Sequence, residues 1–349
     1  MDFIKSQFTR LPILTPVNLT PCTVLITGAN AGLGYEAAKE ILASRPARLI
    51  LAVRSLERGK RAASELAKLK ESNTEIDVRQ LDQAKFSLVK DFVDGLQGQK
   101  IDIAILNAGR ANAYSEVSRL VAHTNTGTWS FKWEQTVDGY ESDIAVNVLG
   151  PALLSLLLLP NLRRAVSSRS SNSDVPPPHL TFVSSGLHAM AKFPERKLAS
   201  GNVLSTLNDP RKYDGTDRYA TSKLISLLWT KELARRTEGE GIVINAPNPG
   251  FCKTGILGNS GGTMKWVMKA SEKLVGRSPV DGGRCIVDGA IIKGTESHGR
   301  YLSEMKVANE VEYARSESGL VLQKKMWNEV IDIFKTKGVL PSSPAVKVD

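Results

Sequence analysis

The chain has 349 residues, 42% of them apolar and 23% charged, a balance found in folded globular proteins and not in disordered ones. Net charge is +10, but the basic residues are spread along the chain without interleaved aromatics and match no nucleic-acid module, so no nucleic-acid partner is expected. Cys22, Cys252 and Cys285 lie far apart without C-x-x-C spacing and the four histidines form no ligand pattern; neither a disulfide framework nor a metal site is suggested, and a reducing, cytoplasmic compartment is expected.

The first 20 residues read as an N-terminal arm, since Met1–Arg10 lacks the apolar core of a signal peptide. Thr23-Val-Leu-Ile-Thr27 is short, apolar and β-branched, as a buried strand is. Gly28, Asn30, Gly32, Leu33 and Gly34 follow in a glycine-rich turn, and a helical pattern covers 34–43. Such a turn brings backbone close to a phosphate, and the helix start supplies free N–H donors. Its spacing is G-x-x-x-G-x-G and not G-x-G-x-x-G, so alone it also reads as an ordinary strand-to-helix turn.

A strand over 48–53 ends at Arg54, and a helix is expected over 56–70. A strand over 75–81 ends at Asp82, which would also serve as N-cap of a helix over 84–96. The apolar strand 101–106 runs into Asn107-Ala-Gly109. A long connection follows to about 137, and then a helix over 139–159, the most apolar part of the chain. That helix is too short to span a bilayer and stops at Pro160, so it reads as a buried helix with no membrane span. Asn147 interrupts its apolar run, and a buried amide needs partners.

The strand 179–184 ends at Ser184 and Ser185. A helix over 218–236 opens with Tyr219-Ala-Thr-Ser-Lys223, which puts a phenol and an ammonium on one helix face. A free tyrosine titrates near pH 10, and a fixed cation nearby stabilises its phenolate. The pair could exchange a proton with a substrate oxygen, although a solvated helix face carries the same pattern. A strand over 242–247 precedes Pro249-Gly250, Cys252 and Thr254, and a helix over 281–292 and a strand over 299–302 complete the alternation. Residues 21–340 read as one domain, with inserted loops near 110–137, 167–178 and 187–217. A glycine-hinged segment near 254–279 reads as a lid or equally as a surface helix.

Alternating strands and helices imply an α/β fold, a doubly wound seven-stranded parallel sheet of Rossmann type with helices on both faces. Gly28, Arg54, Asp82, Asn107, Ser185 and Pro249 all follow strand ends, where such sheets bind ligands.

With Thr27–Gly34, Asn107-Ala-Gly109, Asn147, Ser184-Ser185, Tyr219-x-x-x-Lys223 and Pro249-Gly250 in this order, the chain resembles the short-chain dehydrogenase/reductase family over roughly residues 20 to 305. The resemblance implies an oxidoreductase that interconverts a ketone or aldehyde and an alcohol. Tyr219 would be the general acid/base, and Lys223 would bind the nicotinamide ribose and lower the tyrosine pKa. Ser185, with Ser184 as its alternative, would donate to the same substrate oxygen, and Asn147 would hold a relay water.

Gly28, Asn30, Gly32, Leu33 and Gly34 would hold the pyrophosphate, Asp82 the adenine, and Asn107 the cofactor and central sheet. The backbone near Cys252 and the hydroxyl of Thr254 would meet the carboxamide. Arg54, with no carboxylate at the strand end, implies NADP(H). No metal is implied, and the assembly would be a monomer or homodimer.

Thr27–Gly34, Leu51-Ala-Val-Arg54 and Gly299-Arg-Tyr301 are similar to the fungal reductases of secondary metabolism, which, like retinol-dehydrogenase-like proteins, are longer members. The 34-residue interval from Ser185 to Tyr219 carries an insertion relative to many members. Phe193, Phe251, Trp266 and Met268 suggest a lipophilic substrate and equally fit a core. The alternative is an NADP(H)-binding regulator or scaffold without turnover, against which the presence of all four catalytic-type residues weighs.

Overall fold

A computed structural model of the chain describes residues 9–69, 73–96, 98–109, 133–170, 174–198, 201–253 and 276–340, together with Gln7 and Val346. The short apolar runs become strands: β1 Thr23–Thr27, β2 Arg48–Val53, β3 Glu75–Gln80, β4 Ile103–Leu106, β5 His179–Phe182, β6 Val243–Asn248, β7 Tyr301–Ser303 and β8 Lys306–Ala308. The helices among the described residues are α1 Gly32–Ala43, α2 Leu56–Leu69, α3 Phe86–Asp94, α4 Ser142–Ser167, α5 Val203–Leu207, α6 Arg218–Arg236, α7 Pro279–Val287 and α8 Glu317–Thr336.

The sheet order is β3-β2-β1-β4-β5-β6-β7-β8, and all pairings up to β7 are parallel. Because side chains alternate along a strand, each strand feeds two cores. Leu25, Ile50, Ala104 and Ile244 join the side chains of α3, α4, α6 and α8. Val24, Ile26, Leu51 and Ile105 join those of α1 and α7. This is the doubly wound Rossmann-type fold. Its strand order reverses between β1 and β4, which places a ligand crevice beyond their carboxyl ends.

Three features depart from the sequence reading. The sheet has an eighth strand, β8, antiparallel to β7. Glu304 and Met305 form the two-residue turn between them, with φ of 53° and 60°. Hairpins need this primed turn to match strand twist, but Asn-Gly is its usual signature and here it is absent. Burial of Met305 against Leu11 and Cys285 helps offset the left-handed backbone.

The apolar helix α4 does not stop at Pro160; it runs through it to Ser167. Pro160 is on the exposed side of the helix, so its ring takes no space from the core. By length and a mean hydropathy of 1.8, α4 is apolar enough to cross a membrane, yet 89% of that stretch is buried inside the fold. A π turn over Ala145–Leu149 interrupts it.

The third departure is α8, which follows the last element read from the sequence. Its buried Trp327 stacks on Trp229 of α6 at 4.4 Å between ring centroids. Its Glu329 accepts the N–H groups of Val203 and Leu204 at the start of α5, at 2.9 and 2.8 Å.

Candidate active site

Three glycines shape the turn after β1. Gly28 and Gly32 have φ of +69° and +57°, a region that side chains disfavour. A Cβ on Gly34 would stand 2.5 Å from Asn107 Nδ2 and 2.6 Å from the Gly28 carbonyl oxygen. Helix α1 starts inside this turn, with no side-chain cap on its first N–H groups and no acidic residue in its first turn. An uncapped helix start beside backbone stripped of side chains fits the pyrophosphate of a dinucleotide. Asn30 and Leu33 are half-buried beside it. Asn107 donates to the Thr27 carbonyl at 3.0 Å, and the Ala108 N–H to Thr27 Oγ1 at 2.8 Å, so the ends of β1 and β4 are locked together.

Arg54 and Asp82 follow the ends of the paired strands β2 and β3. Arg54 is exposed and has no ion pair among the described residues. Asp82 accepts from the Ala84 N–H at 3.1 Å, a local turn and not a helix cap. The cap of α3 comes instead from Asp138, which accepts the Phe86 N–H at 2.8 Å. The other oxygen of Asp82 has no hydrogen-bond partner among the described residues.

Beyond the end of β4, the structure brings together Asn147, Tyr219 and Lys223. A Cβ on Gly109 would stand 3.3 Å from Asn147 Oδ1 and 3.8 Å from Lys223 Nζ. The Lys223 ammonium lies 5.8 Å from the Tyr219 ring centroid and donates to the Val183 carbonyl at 2.9 Å. Its burial pushes it down to about 8. Asn147 sits within the π turn, a helix irregularity often found at functional sites. Its Nδ2 donates to Ser222 Oγ at 3.0 Å, and Ser222 donates to the Tyr219 carbonyl at 2.7 Å.

Ser185 caps the 3-10 turn Gly186–Met190, which packs against α6; its Oγ accepts the Leu187 N–H at 3.2 Å. Ser185 is half-buried, whereas Ser184 is buried with an Oγ that has no partner among the described residues. His188, which the sequence reading passed over, holds this turn. Its Nε2 accepts the Val311 N–H at 3.2 Å, so Nδ1 carries the proton and donates to the Ser185 carbonyl at 2.7 Å.

After β6, the loop through Pro249 and Cys252 is pinned by Arg277, whose guanidinium donates to the Pro249 carbonyl at 3.2 Å. Cys252 is buried, and a Cβ on Gly282 of α7 would stand 2.5 Å from its Sγ and 2.6 Å from Leu33. The loop after β6 thus reaches the glycine turn. Thr254, Trp266 and Met268 lie outside the described residues, as do most of 110–137 and of 254–279. Phe193 is fully buried, a core residue and not a pocket wall.

Comparison with known proteins places the fold and the sequence in a family. The family model described as short chain dehydrogenase matches residues 22–196. The short-chain dehydrogenase anuD of Penicillium roqueforti is 33% identical over 345 residues, 97% of this chain and 84% of that protein. The short chain dehydrogenase/reductase mfmJ of Annulohypoxylon moriforme is 30% identical over 98% of this chain and 94% of its own length. Among solved structures, NADPH-bound carbonyl reductase from chicken fatty liver superposes with a TM-score of 0.58 at 19% identity, covering 84% of this chain and 96% of that one. Salutaridine reductase from Papaver somniferum gives 0.56 at 20% identity, over 80% and 99%.

Proposed function

The chain belongs to the short-chain dehydrogenase family of nicotinamide-dependent oxidoreductases, and from that premise we propose that it reduces a lipophilic ketone or aldehyde with NADPH, or runs the reverse oxidation, in a pathway of secondary metabolism. The observation that carries the reading is the half-buried Tyr219 with the buried Lys223 ammonium 5.8 Å from its ring, and with Asn147 and Lys223 both beside Gly109 beyond the end of β4.

The glycine turn Gly28–Gly34 would hold the pyrophosphate, and Lys223 the nicotinamide ribose. Arg54 would pair with a 2′-phosphate, since its guanidinium is exposed and has no ion pair among the described residues. Asp82 would meet the adenine through its second oxygen. A nicotinamide held there would supply or accept the hydride.

The remaining chemistry is a proton transfer. Tyr219 donates its phenolic proton to the substrate oxygen during reduction and recovers it during oxidation. The phenolate so formed is stabilised by the positive charge of Lys223, whose field is strong because the ammonium is buried. Ser185 polarises the same oxygen by donating from Oγ. It suits this role better than Ser184 because it is the more exposed of the two. Asn147 orients the relay that returns a proton through Lys223.

The test is NADPH consumption across a panel of carbonyls and alcohols, with NADH run in parallel. Tyr219→Phe should lower turnover by about 10²- to 10⁴-fold and leave NADPH binding, read by fluorescence, within a factor of about three. A variant that keeps the wild-type rate would overturn the mechanism. NADPH binding without turnover of any substrate would point to a cofactor-binding regulator instead. Arg54→Glu should weaken NADPH more than NADH.

A further inference from the structure

Tyr219 and Lys223 sit on α6 and Asn147 on α4, so the proposed chemistry depends on how these two helices are held together. One link, from Asn147 through Ser222 to the Tyr219 carbonyl, lies inside the site. A second lies at the heads of both helices. Glu141 caps α4, and its carboxylate accepts the N–H groups of Asp143 and Ile144 at 2.9 and 3.1 Å. The same carboxylate stands 3.6 Å from Nε of Arg218, the residue that opens α6 and immediately precedes Tyr219. The two side chains are 1% and 3% exposed. The Arg218 guanidinium also lies 5.3 Å from the Tyr213 ring centroid.

The insertion before α6 anchors this pair from a third side. The Glu141 N–H donates to Asn208 Oδ1 at 2.6 Å, and Asn208 Nδ2 donates to the Gly139 carbonyl at 2.8 Å. Stability alone is a poor account of such an arrangement. Two charges taken out of water give up hydration that their attraction barely restores, and apolar side chains of similar size often stabilise a fold as well or better. Arg218 Nε makes no hydrogen bond among the described residues, so the contact is one of charge. What a buried ion pair seated on a helix cap adds is a defined register between the elements it joins.

We propose that Glu141 and Arg218 form a positioning pair that sets Tyr219 against Asn147 and Lys223 in the working geometry. The proposal rests on the catalytic reading of Tyr219. A displacement of about 1 Å at a proton donor is enough to cost on the order of 100-fold in rate.

The experiment compares the full-length wild type with Glu141→Gln, Arg218→Met, the double variant and Tyr219→Phe. Glu141→Gln keeps an oxygen for the cap but strands the buried guanidinium, so Tm falls. Its kcat falls about 10- to 100-fold, while the KM for NADPH stays within about threefold. The double variant removes the stranded charge, so its Tm returns toward wild type while kcat remains low. That separation of stability from rate is the signature of positioning. If kcat recovers together with Tm in the double variant, or never falls in Glu141→Gln, the pair is structural only and the proposal is overturned. Wild type against Tyr219→Phe tests the catalytic reading separately: a Tyr219-dependent rate upholds it even where the pair variants keep full kcat.

Discussion

Lys223 donates to the carbonyl oxygen of Val183 at 2.9 Å, and burial is the one influence that moves its titration. No carboxylate among the described residues pairs with it. Its ammonium is pushed from 10.5 down to about 8. A lysine lowered in this way costs the cofactor-free fold stability below its folded value, and the cost fades as pH rises from 8 to 10.5, because the unfolded chain then binds more protons. Between pH 7 and 10, wild type should therefore gain on the order of 1–3 kcal/mol relative to Lys223→Met. Denaturant unfolding at both pH values measures this. A pH-independent difference would mean that the folded amine keeps its proton across this range as the unfolded one does, and so that burial does not lower it.

The close approach at Gly34 gives a second prediction. In Gly34→Ala the new methyl would press on the Gly28 backbone at 2.6 Å, and backbone cannot swing aside as a side-chain end can. The turn must shift, at a cost of about 1–3 kcal/mol. NADPH affinity should fall by about tenfold or more, since the shifted atoms are those proposed to hold the pyrophosphate. Urea unfolding and fluorescence titration read the two effects, and an unchanged affinity would place the pyrophosphate elsewhere.

His188 gives a third. Burial lowers its pKa below the ordinary 6.5, against smaller opposing influences from the Ser185 carbonyl and Glu310. A histidine lowered in the folded state contributes stability that is present above 6.5 and lost as pH falls below it. Protonation would also set an Nε2 hydrogen against the Val311 N–H. Wild type should lose more stability than His188→Gln between pH 7 and 5, and parallel unfolding curves would refute this.

The legible and illegible parts of this chain divide by the range over which residues act. The glycine turn and Tyr219-x-x-x-Lys223 could be read because their constraints are local: a left-handed backbone, a helix start, one helix face. Asn147 was conspicuous because an amide interrupts an apolar helix. The Glu141–Arg218 pair spans two distant segments and leaves no short pattern. The β7–β8 hairpin was hidden because Glu304 and Met305 occupy a turn that usually advertises itself with asparagine and glycine. Helix α8 did carry a signal, a capping Ser316 followed by Leu322, Met326, Val330 and Phe334 at every fourth position. Which face of the domain that stripe would cover is a choice made by tertiary packing.

That covering face gives a fourth prediction. Trp327 is fully buried, stacked on Trp229, with the Arg236 guanidinium 4.5 Å from its ring centroid. Trp327→Ala should cost about 3–5 kcal/mol. The midpoint of urea unfolding reports the loss. A cost below about 1 kcal/mol would mean that α8 is not anchored to α6 by this stack.

The π turn at Ala145–Leu149 gives α4 two phases. One surplus residue turns everything on one side of it by about 100° relative to an uninterrupted helix. Glu141 and the capped start keep one angular setting, and the leucines beyond Gly150 keep another that suits the sheet. Asn147 occupies the joint, so it can leave the apolar stripe without any leucine changing direction. The frame of this helix therefore carries information that composition does not: deleting a single residue there would leave hydropathy nearly unchanged and turn the amide out of alignment with the lysine it accompanies.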